Sequence, residues 1–147
     1  MDVNYKSWGG SLIPLQSSIV ESKNNYTKFS NGLFIIYING DTTKGYATLH
    51  TDTSKNCFYL QANFNIISAD ATFIYSRLEV IKITGTTNGS SVAMTEYSTS
   101  SPRISEIVYG NAGGSSIRAR CMLSGDSVSN YSNLVGYYCA FAIGKWK

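Results

Sequence analysis

The chain has 147 residues and a net charge of +3, with only 14% charged residues against about 25% in an average domain. Its polarity comes instead from Ser, Thr and Asn, 45 residues in all. That composition excludes a coiled coil, and no run nears the roughly 20 apolar residues of a membrane-spanning helix. Thirteen Gly without a three-residue period and 19 aromatics exclude collagen and extended disorder, which leaves one β-rich globular domain over 1–147.

Residues 1–32 are polar and broken by Gly9-Gly10, Pro14, Asn24-Asn25 and Asn31-Gly32. They read as loops with one short strand near 15–22, and 1–14 as a lead-in segment. The run 33–39 is dense in Ile, Phe and Tyr and ends at Asn39-Gly40-Asp41. Asn-Gly tolerates positive φ at both positions, so a hairpin to 45–51 is expected there. Residues 57–63 alternate Cys57, Tyr59, Gln61 against Phe58, Leu60, Ala62.

The longest β-rich run is 72–84, closed by a turn at 86–89. Weaker strands follow at 91–97 and 104–109. In 117–123, Ile117, Ala119, Cys121 and Leu123 share one face, with Arg118, Arg120 and Met122 on the other. Arg118 and Arg120 read as a solvated face or an ion pair. After a polar loop at 125–133 the chain closes with 136–146. There Tyr137, Cys139, Phe141 and Ile143 share one face, and Tyr138, Ala140, Ala142 and Trp146 the other. Both faces are apolar, so the strand is expected to be covered on both sides, by a second sheet and by that sheet or another copy of the chain.

Helical spacing is sustained nowhere over 11 residues; one helical turn near 68–71 is the most the pattern allows. About eight short strands with turn signals between them predict an all-β fold, an antiparallel β-sandwich of jelly-roll-like or Greek-key type. The N-terminus has no apolar h-region, so no signal peptide is expected.

Reactive machinery is sparse. The single His50 lies in a Thr-rich strand, and no Gly-x-Ser-x-Gly elbow accompanies it. Cys57, Cys121 and Cys139 are too few and too dispersed for a disulfide framework or a zinc spacing, and read as buried thiols. A hairpin between 117–123 and 137–143 would set Cys121 opposite Cys139, as adjacent thiols or, alternatively, as a cross-strand disulfide. The stretch 126–130 lacks the ligand pattern of a calcium loop. Glu79, in an apolar strand with Arg77 and Lys82 near it, reads as a strand ion pair or an edge charge. The scattered basic residues form no phosphate-tracking groove. No catalytic residue, metal or cofactor, no nucleic-acid partner and no membrane insertion is therefore expected.

What remains is an aromatic surplus beside neutral polar loops. Tyr supplies large contact area at low entropic cost and keeps a polar tip. Tyr97, Arg103, Tyr109 and Tyr131 combine expected loop position with an aromatic ring or a bidentate donor. They are the candidate ligand-binding residues.

The terminal segment GYYCAFAIGKWK (136–147), together with the polar turns between short strands, resembles the head or tip domains of viral fibres and phage receptor-binding proteins. Tyr5 to Gly10 then reads as a shaft-to-head junction. The resemblance implies a non-enzymatic attachment domain on a virion, made in the host cytoplasm. It implies a homotrimer that binds a cell-surface glycan or receptor protein, with one apolar face of the last strand near a subunit interface. Two other readings stay open: a structural virion protein serving assembly, and a carbohydrate-binding module of a larger enzyme.

Overall fold

The computed structural model describes residues 5–6, 12–13, 18–64, 70–111 and 115–146. Along them run β1 (Tyr5–Lys6), β2 (Leu12–Ile13), β3 (Ile19–Lys23), β4 (Tyr26–Phe29), β5 (Leu33–Asp41), β6 (Ala47–Asp52), β7 (Cys57–Asn63), β8 (Thr72–Thr87), β9 (Ser90–Met94), β10 (Arg103–Asn111), β11 (Ser116–Ser124) and β12 (Ser132–Lys145). Single 3-10 turns lie at Thr42–Lys44 and Val128–Asn130. One sheet has the order β3-β4-β5-β12-β8-β9 and the other β10-β11-β7-β6. Every pairing is antiparallel, and β1 with β2 forms a separate two-residue pair.

This is the all-β sandwich expected from the turn spacing. It has more strands than the expected eight, ten in the two sheets, and they are not all short: β8 spans 16 residues and β12 spans 14. Beyond the β1–β2 pair, the lead-in lies outside the described residues. So do residues 68 and 69 of the stretch read as a helical turn, while Asp70 and Ala71 are not helical.

The inner faces follow from the two-residue alternation of a pleated strand. Phe34, Ile36 and Ile38 of β5 and Tyr138, Ala140 and Ala142 of β12 point inward from the larger sheet. Phe58, Leu60 and Ala62 of β7 and Ile117, Ala119 and Cys121 of β11 answer from the smaller one. Each large side chain buried here stabilises the fold by about 2 kcal/mol. Phe73 meets Phe34 edge-on, with ring centroids 5.2 Å apart. At the chain's end Trp146 Nε1 donates to the carbonyl of Phe29 at 3.1 Å, which ties the last strand to β4.

Two expectations about pairing are corrected. Asn39-Gly40-Asp41 does not turn a hairpin: β5 runs through Asp41 and pairs with β4 and β12, while β6 pairs with β7 in the other sheet. Asp41 caps the 3-10 turn by accepting from the Thr43 backbone N–H, and Gly45 at φ +82° ends it. That turn carries the chain from one sheet to the other. Likewise β11 and β12 belong to different sheets. Cys121 faces Phe58 and Ile107, Cys139 faces Asn39 and Glu79, and all three cysteines are free thiols.

As expected, β12 is apolar on both faces, and it sits centrally, between β5 and β8. Its inner face is covered by the second sheet. Its outer face, with Phe141 and Ile143, is only half-buried and continues into Tyr37 and Tyr75, both more than 50% exposed.

Candidate functional site

Among the four residues picked from the sequence, Tyr131 is the clearest correction. It is only 7% exposed, and its hydroxyl donates to Asp126 at 2.7 Å. The polar loop that suggested a surface platform is folded onto the end of the sandwich: Val128 is buried, and its N–H donates to the side chain of Asn56 at 2.8 Å. Tyr131 therefore serves the core. Tyr97 is 90% exposed in the loop between β9 and β10, and Arg103 opens β10. Tyr109 lies six residues further along the same strand, about 20 Å away at the usual rise. The structure does not bring the four around one point.

Tyr109 does line a cleft. Beside β8, strand β9 pairs only with Ile83 to Thr87. Among the described residues, the first part of β8 thus has β12 on one side and no strand on the other. Alternate backbone N–H and C=O groups there open outward, as on any sheet edge. Strand β10 is likewise the edge of the smaller sheet. Between these two edges lies a cleft of about 240 Å³ lined by Tyr75, Arg77, Glu79 and Tyr109, with Leu78 and Ile117 beneath.

Two bulges in β8 aim these side chains. The pairing with β12 slips between Tyr137 and Tyr138 and again between Ile143 and Gly144, which leaves Ile81 and Ile74 without direct partners. Between the slips, Tyr75, Arg77 and Glu79 face outward while Ser76 and Leu78 face inward. Arg77 and Glu79, expected as a strand ion pair or an edge charge, form no ion pair and no side-chain hydrogen bond among the described residues. Their full donor and acceptor capacity is free. Burial holds the Tyr109 phenol above its ordinary pKa, with the backbone N–H of Val80 pulling the other way, so the ring keeps its proton at neutral pH.

Two phenol rings offer faces for the apolar side of a small polar ligand. The Arg77 guanidinium offers paired donors, and the Glu79 carboxylate accepts hydroxyl protons. No group of three or more His, Cys, Asp or Glu able to hold a metal occurs among the described residues. His50 stands exposed on the outer face of β6, opposite Tyr59.

A second depression, of about 460 Å³, lies at the β3–β4 turn against Lys23, Tyr26 and Tyr46. Its Lys23 and Tyr26 are already engaged: Glu21 accepts from Tyr26 at 2.8 Å and pairs with Lys23 and Lys28, each at 3.0 Å. That makes it the weaker candidate.

Sequence reasoning singled out Tyr109 but not Tyr75 or Arg77, which line the same cleft. The available signal was Tyr75-x-Arg77-x-Glu79, whose spacing of two puts all three on one strand face. Compared with protein-family models, with curated proteins and with solved structures, the chain matches none. The functional reading therefore rests on residue chemistry and geometry.

Proposed function

We propose that this domain is the receptor-binding head of a viral or phage fibre, a non-enzymatic module that attaches a virion to a cell-surface glycan. The observation that supports the reading is the β8–β10 cleft, whose lining brings Tyr75, Arg77, Glu79 and Tyr109 together, with Arg77 and Glu79 unpaired among the described residues. A pyranose has one apolar face and a rim of hydroxyls. Tyrosine rings suit the first, and a guanidinium with a carboxylate suits the second.

In this reading the domain acts as a homotrimer. The half-buried outer face of β12, flanked by Tyr37, Tyr75 and Ile74, supplies the apolar surface for a neighbouring subunit. Tyr75 belongs to both surfaces, so the cleft sits at the rim of that contact.

The test is a glycan array and a cell-binding assay with the wild type, Tyr109→Ala and Arg77→Ala. Saccharide binding that both variants lose, with an unchanged Tm, supports the proposal. No binding to any saccharide or host cell, together with a monomeric mass, overturns it. The same apolar face also favours a second reading, a structural virion protein serving assembly. Large assemblies in light scattering without saccharide binding would select that one.

A further inference from the structure

The outer face of the smaller sheet carries a second arrangement that the cleft does not use. Strand register places Arg120 beside Tyr59 and His50 in one row across β11, β7 and β6, and Arg118 beside Gln61 and Thr48 in the next. Arg118 is held in place. Its Nε and Nη2 donate to Gln61 Oε1 at 3.2 and 2.7 Å, and its guanidinium lies 5.4 Å from the centre of the Tyr59 ring. Three of its five donors remain free. The Tyr59 hydroxyl in turn accepts from Lys55 at 3.4 Å.

Arg120 differs. It makes no ion pair and no hydrogen bond among the described residues, and its Nε is removed from solvent without a partner. Only the Nε is buried; the terminal nitrogens of the same guanidinium are not, and they are the donors that an incoming acceptor meets. The acids of this face do not supply one. Asp52 is taken by Ser54 and Lys55, and Glu106, diagonal to Arg120, forms no ion pair.

We propose that Arg118 and Arg120 form a binding site for a single carboxylate or sulfate group of an acidic glycan, on the outer face of the four-stranded sheet. The glycan class rests on the attachment reading above; the site itself rests on the two guanidinium groups. Two adjacent guanidinium forks match the geometry of a compact oxyanion. A nucleic acid fits less well, because Arg118 already occupies the Tyr59 ring on which a base would stack, and three cations are too few to track a phosphate backbone. An extended peptide fits less well too. Strands β7 and β11 are paired on both sides and offer no backbone to join.

The experiment titrates the full chain with four probes: a glucuronate-terminated disaccharide, its neutral glucose-terminated counterpart, a sulfated disaccharide and a short Asp/Glu peptide. Wild type is compared with Arg120→Gln, Arg118→Gln, Glu106→Gln and, as the control for the cleft, Arg77→Ala. The account expects the acidic disaccharides to bind more tightly than the neutral one and to weaken with added salt. Arg120→Gln and Arg118→Gln should each weaken them about tenfold or more. Glu106→Gln should tighten them, and Arg77→Ala should leave that preference in place. The glucuronate and sulfate arms show which group is preferred. Equal affinity for acidic and neutral sugars, unchanged in both Gln variants, overturns the site while leaving the cleft reading intact. Preference for the acidic peptide overturns the glycan class. Loss of neutral-sugar binding in Arg77→Ala alone reports on the cleft. Acidic binding that persists without any neutral binding rejects the cleft and keeps this site.

Discussion

The hydroxyl of Tyr131 donates to the carboxylate of Asp126 at 2.7 Å, whereas the hydroxyl of Tyr138, fully buried in the middle of β12, has no partner among the described residues. The same substitution should therefore act in opposite directions. Tyr131→Phe removes a charge-assisted hydrogen bond and should lower stability by about 1 kcal/mol. Tyr138→Phe removes an unsatisfied buried polar atom at nearly constant volume and should leave stability unchanged or raise it. Denaturant midpoints of the two variants check this; loss of stability in Tyr138→Phe would show that its hydroxyl is satisfied.

Both phenols also predict alkaline sensitivity. Burial pushes each to about 12, and the Asp126 carboxylate adds to the effect at Tyr131. A folded pKa above the unfolded value of about 10 means the stabilisation is complete below pH 10. It is lost as pH rises towards 12. Thermal melts at pH 8, 10 and 11 should show Tm falling in the upper interval, and a smaller fall in Tyr131→Phe.

Acid acts through different groups. Lys23 above all, then Lys28 and the Tyr26 hydroxyl, hold the Glu21 carboxyl at about 2, below its ordinary 4.5. Asp126 is likewise lowered, by Tyr131 first and then by the Ser127 N–H and Asn130. Lowered folded pKa values mean stability that is present above the ordinary carboxylate range and lost as pH falls from about 4.5 towards 2. Glu21→Gln should flatten that acid slope in the melting curve. An unchanged slope would place the acid-sensitive groups elsewhere.

Close packing against β12 predicts a graded response to added methyl groups. A Cβ at Gly144 would meet the backbone oxygen of Thr72 and, at 2.6 Å, the Phe34 ring. At Gly136 it would meet two side chains and no backbone, Leu60 at 2.6 Å and Thr42 at 3.4 Å, and at Gly110 nothing within 4 Å. Gly144→Ala should be the most destabilising, by roughly 3 kcal/mol, with Gly136→Ala milder and Gly110→Ala close to neutral. Urea midpoints in that order support the packing described; equal effects at all three positions contradict it.

Thiol accessibility offers an independent check on the two-sheet assignment. Burial pushes the Cys121 thiol up to about 12 and also raises Cys57, while Cys139 is half-exposed on the outer face of β12. Iodoacetamide under native conditions should label Cys139 alone, and all three after denaturation. Reducing agent should not shift Tm, since Cys121 and Cys139 lie in different sheets. A native Cys121–Cys139 disulfide found by mass spectrometry would refute the topology.

How far the sequence discloses this molecule depends on whether a feature is local. The alternation in 57–63 and 117–123 separates the two faces of each strand correctly, because a strand's faces follow from its own residues. The turn at Asn88-Gly89 is equally local, with φ of +49° and +77°. Pairing is not local. Asn39-Gly40 carries a hairpin signal, yet the Asp41 cap diverts the chain to the other sheet. Bulges are hidden too. Ile74 and Ile81 make 72–84 read as apolar throughout, where the fold exposes both and turns Arg77 and Glu79 outward between them. The cleft joins β8 to β10, strands from different sheets, so Tyr109 was legible as an aromatic near a loop but its companions were not.

The most direct measurement is an amide chemical-shift titration of the domain with a saccharide that it binds. The account predicts that the largest shifts cluster at Tyr75 to Val80 and at Tyr109, and that Tyr109→Ala abolishes them. Shifts confined to the loop around Tyr97 and Arg103, or a titration that leaves the β8 edge unperturbed at saturation, would contradict it.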